Sequence, residues 1–399
     1  MTEVSRRSRW GRTLGAIVGM IGALVGVQSA FPLRQAAPTA KLTLPSASLG
    51  TSLLRQVQSC AQKQLLSQPR DLVQDFWLTT QRASLTCFME QVVLDGTGVV
   101  RGDAEMRMQA VIAASGVQVP LPEATGVGRV PLTLVPENKL LTVPVQVENR
   151  RLPFLLDTGA SSTILTLETA RSLKVAGTPF PNELLRYFVV GQECDRVVAE
   201  LVPLPPLAVG RSQVSGLNGM ALSRVGLPGS GVLGMDFLSS YDLLLNPKTR
   251  ELLLMARSPF PPTGTVLVGK LGVMTAMVSL NGRPPKSFLL DTGASVMVIS
   301  RRYAQEIGLS LKGAETVEVR GFCGSEKALR TRLQTVELGG WVRQNLEVVV
   351  LEGSVLEVLG VDGIVGQNYL NQFVQHWRFS DRNSLGFPSL GHLVLVPVD

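Results

Sequence analysis

The apolar positions fall into two textures along the chain. From Ser46 to about Val93 they recur at helical spacing: Leu53, Leu54 and Val57, then Leu72, Val73, Phe76 and Trp77 beyond Pro69. This spacing predicts two helices that turn near Ser67-Gln68-Pro69-Arg70. If the two pack antiparallel, Cys60 and Cys87 come near each other, and a disulfide pinning the hairpin is expected. Between Leu94 and Val127 the pattern is too weak to assign. From Gly128 onward short alternating runs bounded by turn residues read as strands, and their order repeats.

The repeat is visible residue by residue. Leu141 to Thr166 and Val273 to Ser300 each hold a strand, a polar turn (Glu148-Asn149-Arg150-Arg151; Asn281-Gly282-Arg283-Pro284) and a second strand ending in Leu-Leu. Asp-Thr-Gly-Ala-Ser and a third apolar strand follow in both. Downstream, Gly231 to Leu238 parallels Gly363 to Leu370, and the interval from Asp157 to Gly234 is 77 residues against 75 from Asp291 to Gly366. The C-terminal two thirds therefore reads as a tandem duplication of a unit of roughly 130 residues, with its boundary near Pro259 to Pro262.

Composition agrees with strands and turns. Of 399 residues, 5% are aromatic, while Gly (39) and Pro (24) are plentiful and 45% are hydrophobic, which excludes a disordered chain. The net charge of +7 hints at nucleic acid until it is located. Arg6, Arg7, Arg9 and Arg12 against Glu3 carry +3 of it, just ahead of the apolar run Leu14 to Val27 and the small residues Ser29 and Ala30. That is the layout of a secretory signal peptide cut after Ser29 or Ala30. The alternative is an uncleaved membrane anchor, since no charge lies between Thr13 and Leu33. Export to a periplasmic, lumenal or secreted location is expected in the first case, membrane association through the N-terminus in the second. A nucleic-acid partner is not expected in either. Residues 31 to 44 are Pro/Ala/Thr-rich and read as a linker. Four cysteines in an oxidising compartment permit two disulfides, and their spacing offers no metal site.

Histidine-based chemistry is poorly stocked, because His376 and His392 are the only histidines. Asp157 and Asp291 are better candidates. Each ends an apolar strand, where a lone ionised carboxylate needs donors or a raised pKa. Gly159 and Gly293 permit a tight turn whose N–H groups approach the carboxylate, and the Thr158 and Thr292 hydroxyls can bond across to the other loop. Approximate two-fold symmetry would set the two carboxylates face to face, sharing one proton. The charged one can then act as base on a water, and the neutral one as acid toward a carbonyl oxygen. Such a dyad hydrolyses an amide with no metal and no cofactor.

These residues resemble the aspartic peptidases, and the retropepsin-like group more than the pepsins. The resemblance rests on Asp157-Thr158-Gly159-Ala160-Ser161 and Asp291-Thr292-Gly293-Ala294-Ser295, with Ala in the fourth place. It rests also on the triplets Val232-Leu233-Gly234 and Ile364-Val365-Gly366, which in the family thread beneath the catalytic loop. It covers about residues 128 to 399. Retropepsins are normally homodimers, so a chain carrying both halves looks like a fused pseudodimer whose catalytic unit is a monomer. The resemblance implies a mainly β fold: two retropepsin-like β-barrel lobes, 128–258 and 262–399, related by pseudo-two-fold symmetry. They follow a small α-helical N-terminal region within 31–127 and the leader at 1–30. It implies an aspartic-type endopeptidase acting on an extended polypeptide, with a non-catalytic peptide-binding or inhibitory module as the alternative. In a third reading residues 31–127 are a prosegment that blocks the cleft. The family's flap hairpins would fall at Tyr187 to Leu201 and Val317 to Leu333, each with a Gly and then a Cys. Flap tips that meet would let Cys194 and Cys323 join in a disulfide; the alternative is two free thiols, each packed in its own lobe.

Other motifs carry less. Gly229-Ser230-Gly231-Val232-Leu233-Gly234 fits a dinucleotide fingerprint but follows Pro228 rather than a buried strand. Gly264 to Lys270 mimics a phosphate loop, yet Leu271 stands where Ser or Thr is needed and the segment alternates like a strand. Gly-x-Ser-x-Gly is absent, so no serine-hydrolase elbow is expected. His376, beside Trp377, is expected on a C-terminal strand between the lobes.

Overall fold

The computed structural model describes residues 47–67, 76–116, 121–187, 189–223, 229–261, 263–352 and 354–398. The expected leader at 1–30 and the linker at 31–44 lie outside the described residues. Among the described residues no helix is long and apolar enough to cross a membrane. The chain divides into two compact units. One ends at Leu121, and the second starts at Pro122 and runs to the C-terminal end apart from Pro179–Pro181.

The first unit is helical: α1 (Ala47–Ser67), α2 (Phe76–Phe88) and α3 (Ala104–Ser115). Leu53, Leu54 and Val57 of α1 are buried, as their spacing requires. α2 runs on into a wider turn at Met89–Val93, whose freed carbonyls at Gln91 and Val92 accept from the Arg107 guanidinium at 2.8 and 3.2 Å. α3 falls in the stretch that the apolar pattern leaves unassigned. It buries three small or flexible residues, Ala104, Met108 and Ala110, beside Val111 and Ile112, so its apolar stripe has little contrast. A Cβ on Gly50 would stand 2.0 Å from the Ala110 carbonyl oxygen, so α1 and α3 can approach closely only because that residue is glycine. Cys60 and Cys87 form a disulfide between α1 and α2, with their Cα atoms 5.8 Å apart.

The second unit is built from two curled sheets, one mainly from each half of the duplication. In the first half, Gly231–Leu233 lies parallel to Arg150–Leu156, with Leu233 opposite Leu156, and antiparallel to Ile164–Thr166. In the second half, Gly363–Val365 lies parallel to Lys286–Leu290, with Val365 opposite Leu290, and antiparallel to Met297–Ser300. Each Asp thus leaves its strand beside its own downstream triplet. These short strands are buried on both faces, which is why they read as continuous apolar runs rather than alternating ones.

The halves are joined by a shared sheet. Gly128–Pro131, Glu251–Met255 and Asp242–Asn246 from the first half continue into Phe373–Phe379, Leu390–Pro397 and Thr265–Lys270 from the second. The seam pairs Leu243 with Trp377 and Leu244 with His376, so His376 lies on the strand between the lobes. Thr265–Lys270 is a strand, in line with its alternating pattern. Arg382 braces the seam from the second half by donating to the Asp236 carbonyl and to the Ser239 and Ser240 hydroxyls. One apolar cluster runs through both lobes, from Val143 and Phe154 to Phe288 and Trp377.

The Cys60–Cys87 bond closes a sequence separation of 27 residues. Replacing both by Ala is expected to cost about 3 kcal/mol in urea unfolding of the helical unit. An unchanged midpoint would mean that α1 and α2 hold together without it.

Candidate active site

Asp157 and Asp291 end equivalent strands, and the same contacts hold both. The Asp157 N–H donates to the Leu233 carbonyl at 3.2 Å and the Asp291 N–H to Val365 at 3.0 Å. Oδ1 of Asp157 accepts from the Gly159 and Ala160 N–H groups at 2.8 and 3.0 Å. Oδ1 of Asp291 accepts from Gly293 and Ala294 at 2.7 and 3.1 Å. Each carboxyl lies over the opposite loop: a Cβ on Gly159 would be 2.4 Å from Asp291 Cγ, and one on Gly293 would be 2.4 Å from Asp157 Cγ. Glycine is therefore a spatial requirement at both positions.

The threonines lock the loops to each other. The Thr158 N–H donates to Thr292 Oγ1 at 3.0 Å, and the Thr292 N–H to Thr158 Oγ1 at 3.1 Å. Each hydroxyl donates onward across the axis, Thr158 to the Leu290 carbonyl and Thr292 to the Leu156 carbonyl, both at 2.8 Å. All four groups are buried, so each unmade bond would leave a desolvated polar atom costing about 1–3 kcal/mol.

The triplets fix the loops from below. Gly234 and Gly366 have ordinary backbone angles; their requirement is space. A Cβ there would fall 2.6 Å from the Ser162 carbonyl and 2.4 Å from the Val296 carbonyl oxygen, respectively. Past each glycine the chain donates back to the loop: Met235 to the Ala160 carbonyl and Asp236 to Ser161, then Gln367 to Ala294 and Asn368 to Ser295. Ser161 and Ser295 thus serve through their carbonyls. Sequence reasoning missed the side chains that complete this cradle. The Asp236 carboxylate accepts from the Thr163 N–H and hydroxyl at 2.9 and 2.7 Å, and Asn368 Oδ1 accepts from the Met297 N–H at 2.9 Å. Their matched places in the repeat, two residues past each triplet glycine, were the available signal.

Burial and mutual approach govern the charge. Desolvation pushes the Asp157 carboxyl well above its usual range, and the charge of Asp291 and the hydrogen bond between the two push it further. Burial also raises Asp291, while its bond to Asp157 favours its ionised form. The pair is a single acid that keeps one proton where an isolated aspartate would have lost it, and the symmetry of the contacts gives neither residue sole ownership.

Above the dyad the two halves differ. The second carries a long hairpin, Glu315–Gly321 paired with Gly324–Leu338. In the first, no hairpin is formed among the described residues of 187–201. That interval contains a short 3-10 turn at Cys194–Arg196 and the start of strand Ala199–Pro203. The expected first flap is therefore corrected: residues ahead of Ala199 do not alternate, and Gly191, at φ 122°, turns the chain in a way only glycine tolerates. The bend lets the segment meet the opposing flap tip. Glu193 donates to the Cys323 carbonyl at 2.8 Å, Cys323 donates to the Val190 carbonyl at 3.1 Å, and Cys194 and Cys323 form a disulfide. The alternative of two free thiols is thereby set aside; close backbone approach at Gly191 and Gly321 brings the Cα atoms to 4.6 Å.

A pH-dependent stability follows from the buried dyad. Because the folded-state pKa of Asp157 is raised above 3.8, the stability tied to its proton is fully present below about pH 4 and is lost as pH rises through the folded value. Asp157→Asn removes that loss. It is expected to melt above wild type at neutral pH and to converge with it toward pH 4. A variant less stable than wild type throughout would contradict the assignment.

Residues 143–240 and 276–372 each match the family model described as gag-polyprotein putative aspartyl protease. No curated protein sequence matches the chain. Among solved structures, a retropepsin-like aspartic protease from Rickettsia conorii is 19% identical, covering 34% of this chain and 96% of that one, with a TM-score of 0.24. With both repeats matched and each carrying its Asp-Thr-Gly-Ala-Ser loop, the two lobes belong to the retropepsin-like aspartic protease family, as a duplicated single-chain form.

Proposed function

We propose that this protein is an exported aspartic-type endopeptidase that hydrolyses peptide bonds with a water held between Asp157 and Asp291. The observation that carries the reading is the pair itself. The two carboxyls are buried in hydrogen-bonding contact, and each accepts from two N–H groups of its own loop, Gly159 and Ala160 for Asp157 and Gly293 and Ala294 for Asp291. Holding one proton between two carboxyls costs stability, and a purely structural turn would not need both acids.

The chemistry runs within the pair. The ionised carboxyl takes a proton from water as its oxygen attacks the substrate carbonyl carbon, and the protonated carboxyl donates its proton to the carbonyl oxygen. Collapse of the resulting gem-diol breaks the C–N bond, and the dyad returns a proton to the leaving nitrogen. The substrate is an extended polypeptide lying between the lobes, and one chain supplies the whole site. The tether from Cys194 to Cys323 keeps the flap from swinging away, so the polypeptide enters along the cleft rather than from above.

Two outcomes are expected. A mixed peptide library is cleaved by wild type, and Asp157→Asn or Asp291→Asn lowers kcat by roughly a thousandfold or more, the scale of losing a general acid or base. Wild type and variants performing alike would instead support a non-catalytic peptide-binding or inhibitory module. Separately, Cys194→Ser with Cys323→Ser should free the flap and raise cleavage of bulky, folded substrates relative to short peptides by about tenfold, as expected where lid opening limits entry. An unchanged ratio would mean that the tether does not gate access.

A further inference from the structure

The flap carries one acid that the dyad chemistry does not use. Glu326 follows the tip closely after Cys323 and is only 6% exposed. In a strand, residues two apart share a face, so Glu326 and Ala328 point the same way. Directly opposite them in register are Val319 and Val317. Ala328 belongs to a buried apolar cluster against which Val317, Val319, Val190 and Ala294 pack. Ala294 is the residue whose N–H donates to Asp291 Oδ1, and Val190 accepts from the flap tip. The face that carries Glu326 is therefore continuous with the second catalytic loop and with the strap from the first lobe. The basic residues of the hairpin are exposed, Arg320, Lys327, Arg330 and Arg332, and the last two are engaged by other partners, Arg330 by Glu315 and Glu347 and Arg332 by the Asn345 carbonyl.

A carboxylate in such surroundings needs a cation or a donor. Among the described residues none is paired with Glu326. Its carboxyl is pushed up by burial and then by the charge of Glu352, and no basic group opposes this. Glu352 itself is engaged by Arg301. The combination is an apolar wall of valine and alanine that ends in one uncompensated acid.

We propose that Glu326 is a specificity-determining residue that selects a lysine or arginine side chain of the bound polypeptide. The methylenes of that side chain lie along Val190, Val319 and Ala328, and its charged end meets the Glu326 carboxylate. Long basic side chains combine an apolar stem with a charged tip, which matches this wall and its acid. An apolar residue in the same place would leave the acid buried and unpaired, which adds rejection to attraction. The proposal rests on the reading of the lobes as a peptide-binding cleft.

The test separates binding from cleavage. Peptides in which a single lysine is replaced by norleucine, at each position in turn, are titrated by fluorescence anisotropy against Asp157→Asn protein at neutral pH. At one position lysine should bind about tenfold tighter than norleucine, the scale of a largely desolvated charge pair. In the Asp157→Asn, Glu326→Gln double variant that preference should vanish, with the norleucine peptide bound as tightly or more tightly. Glu326→Asp, which keeps the charge, should retain part of it. A lysine preference untouched by Glu326→Gln overturns the proposal, as does a peptide set in which no position favours lysine, including a set that does not bind. If the peptides bind with this preference but wild type cleaves none of them, the peptidase reading fails while the assignment of Glu326 stands.

Discussion

The molecule is organised around one unfavourable requirement: two carboxyls must be buried against each other without both ionising. Meeting it takes donors on each Asp Oδ1, room for each carboxyl above the opposite loop, and a rigid connection between the loops. The chain supplies these twice over, through Gly159 and Gly293, through Ala160 and Ala294, and through the crossed bonds of Thr158 and Thr292. Because every partner comes from the other copy or from the same place in its own copy, the site exists only if both halves fold and meet. The raised pKa of the pair is the consequence of burying two like carboxyls at that contact.

The larger architecture serves this contact at two levels. Below the dyad, the triplet strands and the short helical turns after Gly234 and Gly366 support the loops through backbone bonds, and Asp236 and Asn368 extend that support by one layer. Across the seam, paired strands and Arg382 hold the lobes in register. Above the dyad symmetry is abandoned. One half supplies a long hairpin and the other a bent strap, and a disulfide joins them. The two sides are therefore chemically different, and Glu326 lies on the side that the hairpin provides.

Much of this was legible from residue order alone. Duplication showed in matched blocks, and the site in two Asp-Thr-Gly-Ala-Ser loops set beside equally spaced triplets, because close backbone packing leaves glycine at fixed offsets. α1 showed in the spacing of Leu53, Leu54 and Val57. What failed to show has a common physical cause: the signal was not periodic. α3 buries small residues such as Ala104 and Ala110, whose apolar contrast is low. The strap before Ala199 is held by one left-handed glycine and a tertiary disulfide rather than by strand pairing, so its likeness to the other flap in Gly and Cys content misled. Asp236 and Asn368 differ in chemistry while doing the same work, and Glu326 has no counterpart in the other half to draw attention to it.

The central claim is that Asp157 and Asp291 act as one acid. Carboxyl 13C NMR of selectively labelled aspartates, followed through a pH titration, tests it without requiring any substrate. The account predicts that the two carbons titrate together, that one proton persists well above the ordinary value of 3.8, and that Asp291→Asn abolishes the coupling seen at Asp157. Two independent titrations near that ordinary value, unchanged when the partner is replaced, would contradict it.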